Sequence, residues 1–128
     1  MMIRLLISAV AFAALAACSS DPMRDIRDIF QPAKGQAAFT TGLKQYENGD
    51  YAESAKNLQS ALDKGLGDRD RVVAHKHLAF IHCVSGRERQ CRDEFRKALA
   101  VDPTMDLAPA EAGHPIWGPI FRTVKAGR

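Results

Sequence analysis

Leu78-Ala79-Phe80-Ile81-His82-Cys83-Val84-Ser85-Gly86, followed by Cys91-(x3)-Phe95-(x2)-Ala98-Leu99, decides the fold, because the same skeleton occurs upstream. There it reads Gly42-Leu43-(x2)-Tyr46-(x2)-Gly49, then Ser54-(x3)-Leu58-(x2)-Ala61-Leu62. In both copies the turn glycine, Gly49 or Gly86, precedes a small residue and a leucine by 12 positions, and the copies are offset by 37. Self-similarity at a period of this size points to stacked supersecondary units. Apolar and small residues recur at helical spacing on both sides of each glycine, so each copy predicts a helical hairpin. Gly42 and Ala79 are small where the first helix must approach the second, and Ser54 and Cys91 are the small residues that face them. Leu58 and Phe95 fill the larger hole one turn on. Gly49 and Gly86 suit the left-handed geometry that ends a first helix. Asp102-Pro103 stops the last one, since proline cannot continue a helix and disfavours it in the residue before.

These residues resemble the tetratricopeptide repeat, whose unit is 34 residues, with three additional residues near Gly65-Leu66-Gly67. The resemblance covers Ala37–Pro103. Thr41 stands where that repeat usually has leucine, His82 where it often has tyrosine, and the first copy ends in Leu66 rather than proline. The fold it implies is all-α, a short α-solenoid of two hairpins at about 36–66 and 71–103. Gly42, Tyr46, Ser54, Leu58, Ala61, Leu78, Ala79, His82, Phe95 and Ala98 are its packing residues. The role it implies is binding to another protein.

Two repeats are fewer than the three such stacks usually need, so the open end requires a cover. Residues 104–128 offer Met105, Leu107, Ile116-Trp117, Ile120-Phe121 and Val124. Ile116, Ile120 and Val124 recur every fourth residue and Pro119 suits a first turn. A C-terminal capping helix of about 8–10 residues is expected, laying Trp117, Phe121 and Val124 over the last helix of the second hairpin. The other reading of Trp117 and Phe121 is an exposed recognition patch. Spacing alone leaves both open.

The N-terminus speaks for targeting. Arg4 precedes the apolar run Leu5–Ala17, interrupted only by Ser8 and too short for the roughly 20 residues of a membrane-spanning helix. Leu15-Ala16-Ala17-Cys18 resembles the lipobox of bacterial lipoproteins. That resemblance implies a signal peptide at 1–17, cleavage before Cys18 and covalent lipid on Cys18 as the one attached group. Ser19 stands in place of the aspartate that retains such lipoproteins at the inner membrane, which favours a domain anchored at the outer membrane and facing the periplasm. Residues 18–35 form a tether with Pro22, Pro32 and Gly35, spanning about 20–25 Å as a random coil. Within it Met23, Ile26 and Phe30 also permit a short amphipathic helix.

Lipidation of Cys18 leaves Cys83 and Cys91, near the turn on opposite arms of one hairpin. An oxidising destination makes them a disulfide candidate, the bland alternative being two buried small hydrophobes. Metal binding is disfavoured: His75 and His82 lie two turns apart, about 10.5 Å, and neither a His-x3-His pair nor a Cys-x2-Cys knuckle is present. His82 reads as a packing residue and the other histidines as solvent-facing. A Cys–His nucleophile lacks an orienting third group, and Gly65-Leu66-Gly67 lacks the strand and the lysine of a phosphate loop. Arg87, Arg89, Arg92 and Arg96 lie among acids, with Glu88–Arg92 and Asp93–Lys97 at i, i+4, the pattern of a solvated face. Once residues 1–17 are removed, 17 basic residues face 15 acidic ones, too mild an excess for nucleic acid.

No enzyme, metal or diffusible cofactor is expected. The expected function is a lipid-anchored adaptor holding another cell-envelope protein and assisting an assembly or secretion machine. Asp106–Phe121, with Glu111-Ala112-Gly113-His114-Pro115-x-Trp117-Gly118-Pro119, resembles accessory lipoproteins of type VI secretion clusters. A passive spacer without a specific ligand is the alternative.

Overall fold

The computed structural model describes residues 31–127. The expectations for the signal peptide, for lipid on Cys18 and for a short helix at Met23–Phe30 lie outside the described residues. Among the described residues six helices follow in order: α1 (Gln36–Glu47), α2 (Tyr51–Lys64), α3 (Asp68–Val84), α4 (Glu88–Val101), α5 (Pro109–Ala112) and α6 (Trp117–Ala126). No strand occurs among the described residues. The fold is an all-α, tetratricopeptide-like solenoid of two hairpins, α1–α2 and α3–α4, closed by α6.

Each hairpin turns on a glycine in the left-handed region, Gly49 at φ 80° and Gly86 at φ 76°, where a Cβ would be strained. The second hairpin begins at Asp68, three residues before the expected boundary at 71. Asp68 and Asp70 in the first turn complement the positive end of the helix and let it start early.

The hairpins are held by close approach. Ser54 Oγ donates to Gly42 O at 2.7 Å, which satisfies a fully buried hydroxyl. A Cβ at position 42 would lie 2.9 Å from Leu58 Cγ, so α1 and α2 approach closely only because Gly42 has no side chain. Leu58 and Ala61 join Phe39, Leu66, Ala74, Leu78 and Ile81 in a cluster that glues the first hairpin to α3. A second cluster, containing Ala79, Phe95, Ala98 and Leu99, fills the second hairpin and extends to Met105, Leu107, Phe121 and Val124. Within it Cys83 and Cys91 are bonded across the turn, Cα atoms 5.1 Å apart. The enclosed loop is short, so the bridge contributes on the order of 2–3 kcal/mol through the unfolded chain.

Beyond Pro103 the chain builds the cover. Phe121 meets Phe95 edge-on, ring centroids 5.1 Å apart, and Val124 is buried beside it. The buried stripe of α6 is therefore Phe121 and Val124; Ile116, which opens the fourfold repeat seen in the sequence, is 45% exposed. Gly118 explains the difference. Any Cβ there would fall on Ala112 O, so α6 sits directly against α5 and is rotated by that contact. Among the described residues no helix is long and apolar enough to cross a membrane.

Candidate functional site

One face of the solenoid is lined by α1, α3 and the start of α6, and it carries a continuous row of rings. Tyr51 lies 5.3 Å from Tyr46, and Tyr46 meets His77 edge-on at 4.7 Å. His77 and Phe80 are 5.7 Å apart, Phe80 stacks on Trp117 at 4.3 Å, and Trp117 stacks on His114 at 3.4 Å. Local structure explains the placement. Tyr46 lies in the last turn of α1 and Tyr51 opens α2 across the Gly49 turn, so the turn brings two residues five apart together. His77 and Phe80 are one turn apart on α3, on the side facing α1.

Trp117 was expected over the last helix of the second hairpin, and instead it stacks on Phe80 of α3; Phe121 and Val124 are the α6 side chains buried in the cluster with Phe95 and Leu99 of α4. Glu111 is the reason. Its backbone carbonyl accepts from Trp117 Nε1 at 2.8 Å, and its carboxylate pairs with Lys76 Nζ at 2.9 Å. The same carboxylate accepts from Ala108 N at 2.9 Å, which shapes the single turn α5. Lys76, one turn before Phe80 on α3, thereby draws α5 and the Trp117 ring toward the first helix of the hairpin. Charge as well as hydrophobicity directs the cover.

The electrostatics follow from partial burial. Burial pushes the Tyr46 hydroxyl up to about 12, aided by Tyr51 and Glu111. Burial holds His77 below its ordinary value, with Lys76 adding to the effect, while its bond to Val73 and the charges of Glu111 and Glu47 oppose it. The partner of His77 Nδ1 is the Val73 carbonyl at 2.8 Å, so that nitrogen carries the hydrogen. Burial and then Arg87 likewise lower His82, whose Nδ1 accepts from Arg87 Nε at 2.9 Å.

The histidines expected to face solvent do not simply do so. His75 Nδ1 lies 2.6 Å from Glu94 Oε2, and the two side chains are 15% and 8% exposed. Lys97 Nζ bonds the other Glu94 oxygen at 3.0 Å, while Arg96 takes Asp93 at 2.8 Å. The expected Asp93–Lys97 pair is thus replaced by two i, i+3 pairs, whereas Glu88 and Arg92 meet at 2.7 Å. Burial raises Glu94, but the bonds from His75 and Lys97 together outweigh it and leave its carboxyl below the ordinary range. Glu94 falls at i+3 in the buried stripe Cys91, Glu94, Phe95 and Ala98, so the periodicity of α4 turns it inward although its charge does not suggest it. Only the presence of a histidine and a lysine within reach makes its burial affordable.

The remaining candidates are scaffold. Gly42, Ser54, Leu58, Ala61, Leu78, Ala79, Phe95 and Ala98 are buried between helices, and Tyr46 and His82 are half-buried. Trp117 is half-buried in the ring row, whereas Phe121 is buried behind it. Cys83 and Cys91 satisfy each other. Among the described residues no three His, Cys, Asp or Glu side chains are placed to hold a metal ion. A row of stacked rings beside carboxylates can bind a chain segment, and it holds no nucleophile aligned with a base.

Comparison with known proteins points the same way. The chain is 31% identical over 84 residues to photosystem I assembly protein Ycf3 of Synechococcus sp. strain CC9605, covering 64% of this chain and 49% of that protein. It is 32% identical over 65 residues to the Ycf3 of strain CC9902, covering 51% and 38%. For the Ycf3 of Parasynechococcus marenigrum strain WH8102 the identity is 33% over 61 residues, covering 48% and 35%. The chain spans about half the length, or less, of these curated relatives. No protein-family model and no solved structure matches it. The relatives correct one expectation. They are named for assembling photosystem I and not as outer-membrane lipoproteins, so an outer-membrane site facing the periplasm does not stand. None of them is named for type VI secretion.

Proposed function

We propose that this chain is a non-catalytic adaptor that holds a protein partner on its ring-lined face and assists assembly of a multi-subunit complex. The observation that carries the proposal is the row from Tyr51 to Trp117, because its Tyr51 end is not used up by packing. Tyr51 is 40% exposed and Tyr46, His77 and Trp117 are half-buried. Aromatic side chains that are rigid, amphipathic and accessible are what protein interfaces use as anchors. Similarity to proteins named for complex assembly favours the same role. Lipid on Cys18 remains part of the proposal on the strength of Leu15–Cys18 alone. A type VI secretion role is supported only by the likeness of Asp106–Phe121.

Crosslinked capture from cells tests the proposal. The parent chain should enrich one complex reproducibly, Tyr51→Ala with His77→Ala should lose it, and Arg89→Ala on the exposed flank of α4 should keep it. A passive spacer would enrich nothing, and loss through Arg89→Ala alone would put the contact on another face.

A further inference from the structure

The ring row has two halves, and the chain fills only one with a cation of its own. At the α6 end Lys76 Nζ lies 5.9 Å from the centre of the Phe80 ring and is neutralised by Glu111 at 2.9 Å. An ammonium is thus held by a ring face on one side and a carboxylate on the other. At the α1 end the same ingredients recur. Tyr46 and Tyr51 supply the rings, and Glu47, next to Tyr46 in the last turn of α1, supplies an exposed carboxylate. Among the described residues no lysine, arginine or histidine forms an ion pair with Glu47.

We propose that this open half, Tyr51, Tyr46 and His77 beside Glu47, seats an arginine or lysine carried by an extended segment of the protein partner. The proposal rests on the adaptor reading and names the partner's chemistry. Ring faces carry the negative part of the aromatic quadrupole and attract cations rather than anions. Glu111 is taken by Lys76, whereas Glu47 has no ion pair among the described residues, so Glu47 is the carboxylate this half offers to a cation. His77, held below its ordinary pKa by burial, adds no positive charge at neutral pH. Tyr51, Tyr46 and His77 follow one another from α2 across α1 to α3, a path that suits an extended chain. An acidic segment would meet the unpaired Glu47 carboxylate.

Two labelled octapeptides, an alternating Arg-Pro repeat and its Glu-Pro counterpart, both extended by their prolines, test this on the purified full chain. Binding is read by anisotropy and by the emission of Trp117, the chain's one tryptophan. The Arg-Pro peptide should bind at least tenfold more tightly than the Glu-Pro peptide and weaken as salt rises. Glu47→Gln and Tyr51→Ala should each weaken it about two- to fivefold. Both side chains are exposed, so thermal melting should stay at the parent value; should Tyr51→Ala melt low, Glu47→Gln decides alone. Equal or tighter binding of the Glu-Pro peptide, binding of neither, or Arg-Pro binding indifferent to both substitutions overturns the proposal. So does concentration-dependent dimerisation abolished by Glu47→Gln, which would give this face to a second copy. If cellular capture depends on the ring row while neither peptide is preferred, the charge assignment fails and the adaptor stands. If the Arg-Pro peptide binds but nothing is captured, the adaptor fails instead.

Discussion

Replacing Phe121 by alanine tests whether the C-terminal helix is structure or ornament. The ring is 2% exposed and lies 5.1 Å from Phe95 in an edge-to-face contact across α6 and α4. A buried Phe→Ala change costs about 3–5 kcal/mol, the lost transfer energy plus that of the cavity left behind. The edge-to-face contact accounts for roughly 0.5–1.5 kcal/mol of it. Phe121 lies at the open end of the stack, where α6 can settle inward, so the lower limit, about 3 kcal/mol, is the expected value. A domain of this size is stable by about 5–15 kcal/mol, so that loss is a large share. At roughly 4–8 °C per kcal/mol, Tm should fall by about 12–24 °C. Urea unfolding followed by far-UV circular dichroism is the assay, and the midpoint should drop while the slope is unchanged. A reduced slope would mean that α6 has already detached in the native state. A loss below about 1 kcal/mol, or parental melting after deletion of residues 116–128, would refute the reasoning that this helix seals the core.

Trp117→Ala should cost less than Phe121→Ala, about 1–2 kcal/mol, since the indole is half-buried; partner capture should fall by more than melting accounts for, and equal proportional losses would make it a cap only. Glu94→Gln should weaken the domain by about 1.5–3 kcal/mol at neutral pH, the worth of bonds to a charged group. The sign with pH follows from the lowered Glu94 value: its contribution is present above the ordinary 4.5 and fades as pH falls through the folded value. Parent and variant should therefore converge in urea midpoint as pH falls below about 5 and through the folded value, and a constant gap would remove Glu94 as the cause. Alkylation without reductant should leave Cys83 and Cys91 unlabelled, and the double serine variant should lose about 2–3 kcal/mol; full labelling of both thiols would argue against a bridge in cells. Cys18→Ser should abolish incorporation of a fatty-acid analogue, and undiminished label would end the lipid assignment.

The hairpins were legible because their signals are local. Gly49 and Gly86 stop a helix wherever they occur, and the three- and four-residue spacing of apolar positions needs no knowledge of the neighbours. What escaped depends on partners remote in sequence. Glu94 shares the inward stripe of Cys91, Phe95 and Ala98, but its charge reads as surface, and only the register of α3 against α4, 19 residues apart at His75, supplies the partner that makes its burial possible. Lys76 and Glu111 are 35 residues apart, yet their pairing swings Trp117 from α4 onto α3. Of the every-fourth set Ile116, Ile120 and Val124 that suggested the helix, Ile116 is exposed, because Gly118 meeting α5 fixes the rotation of α6 and periodicity carries no information about that contact. The ring row was invisible for the same reason. Tyr46 was visible as a packing residue, but its meeting with Tyr51 and His77 depends on how one hairpin is laid against the next.

Gly35 has a mechanical consequence. Its N–H donates to Gly65 O at 2.9 Å, and any Cβ there would collide with Ala61 O, so the chain enters the domain pressed against the end of α2. A pull on the N-terminal side is transmitted at once to the joint between the two hairpins. The load is shared by α1, α2 and the start of α3, and α1 is spared from being peeled away alone. A side chain at position 35 would pry this joint open and let tension unravel the solenoid from its first helix, with no residue of the ring-lined face altered.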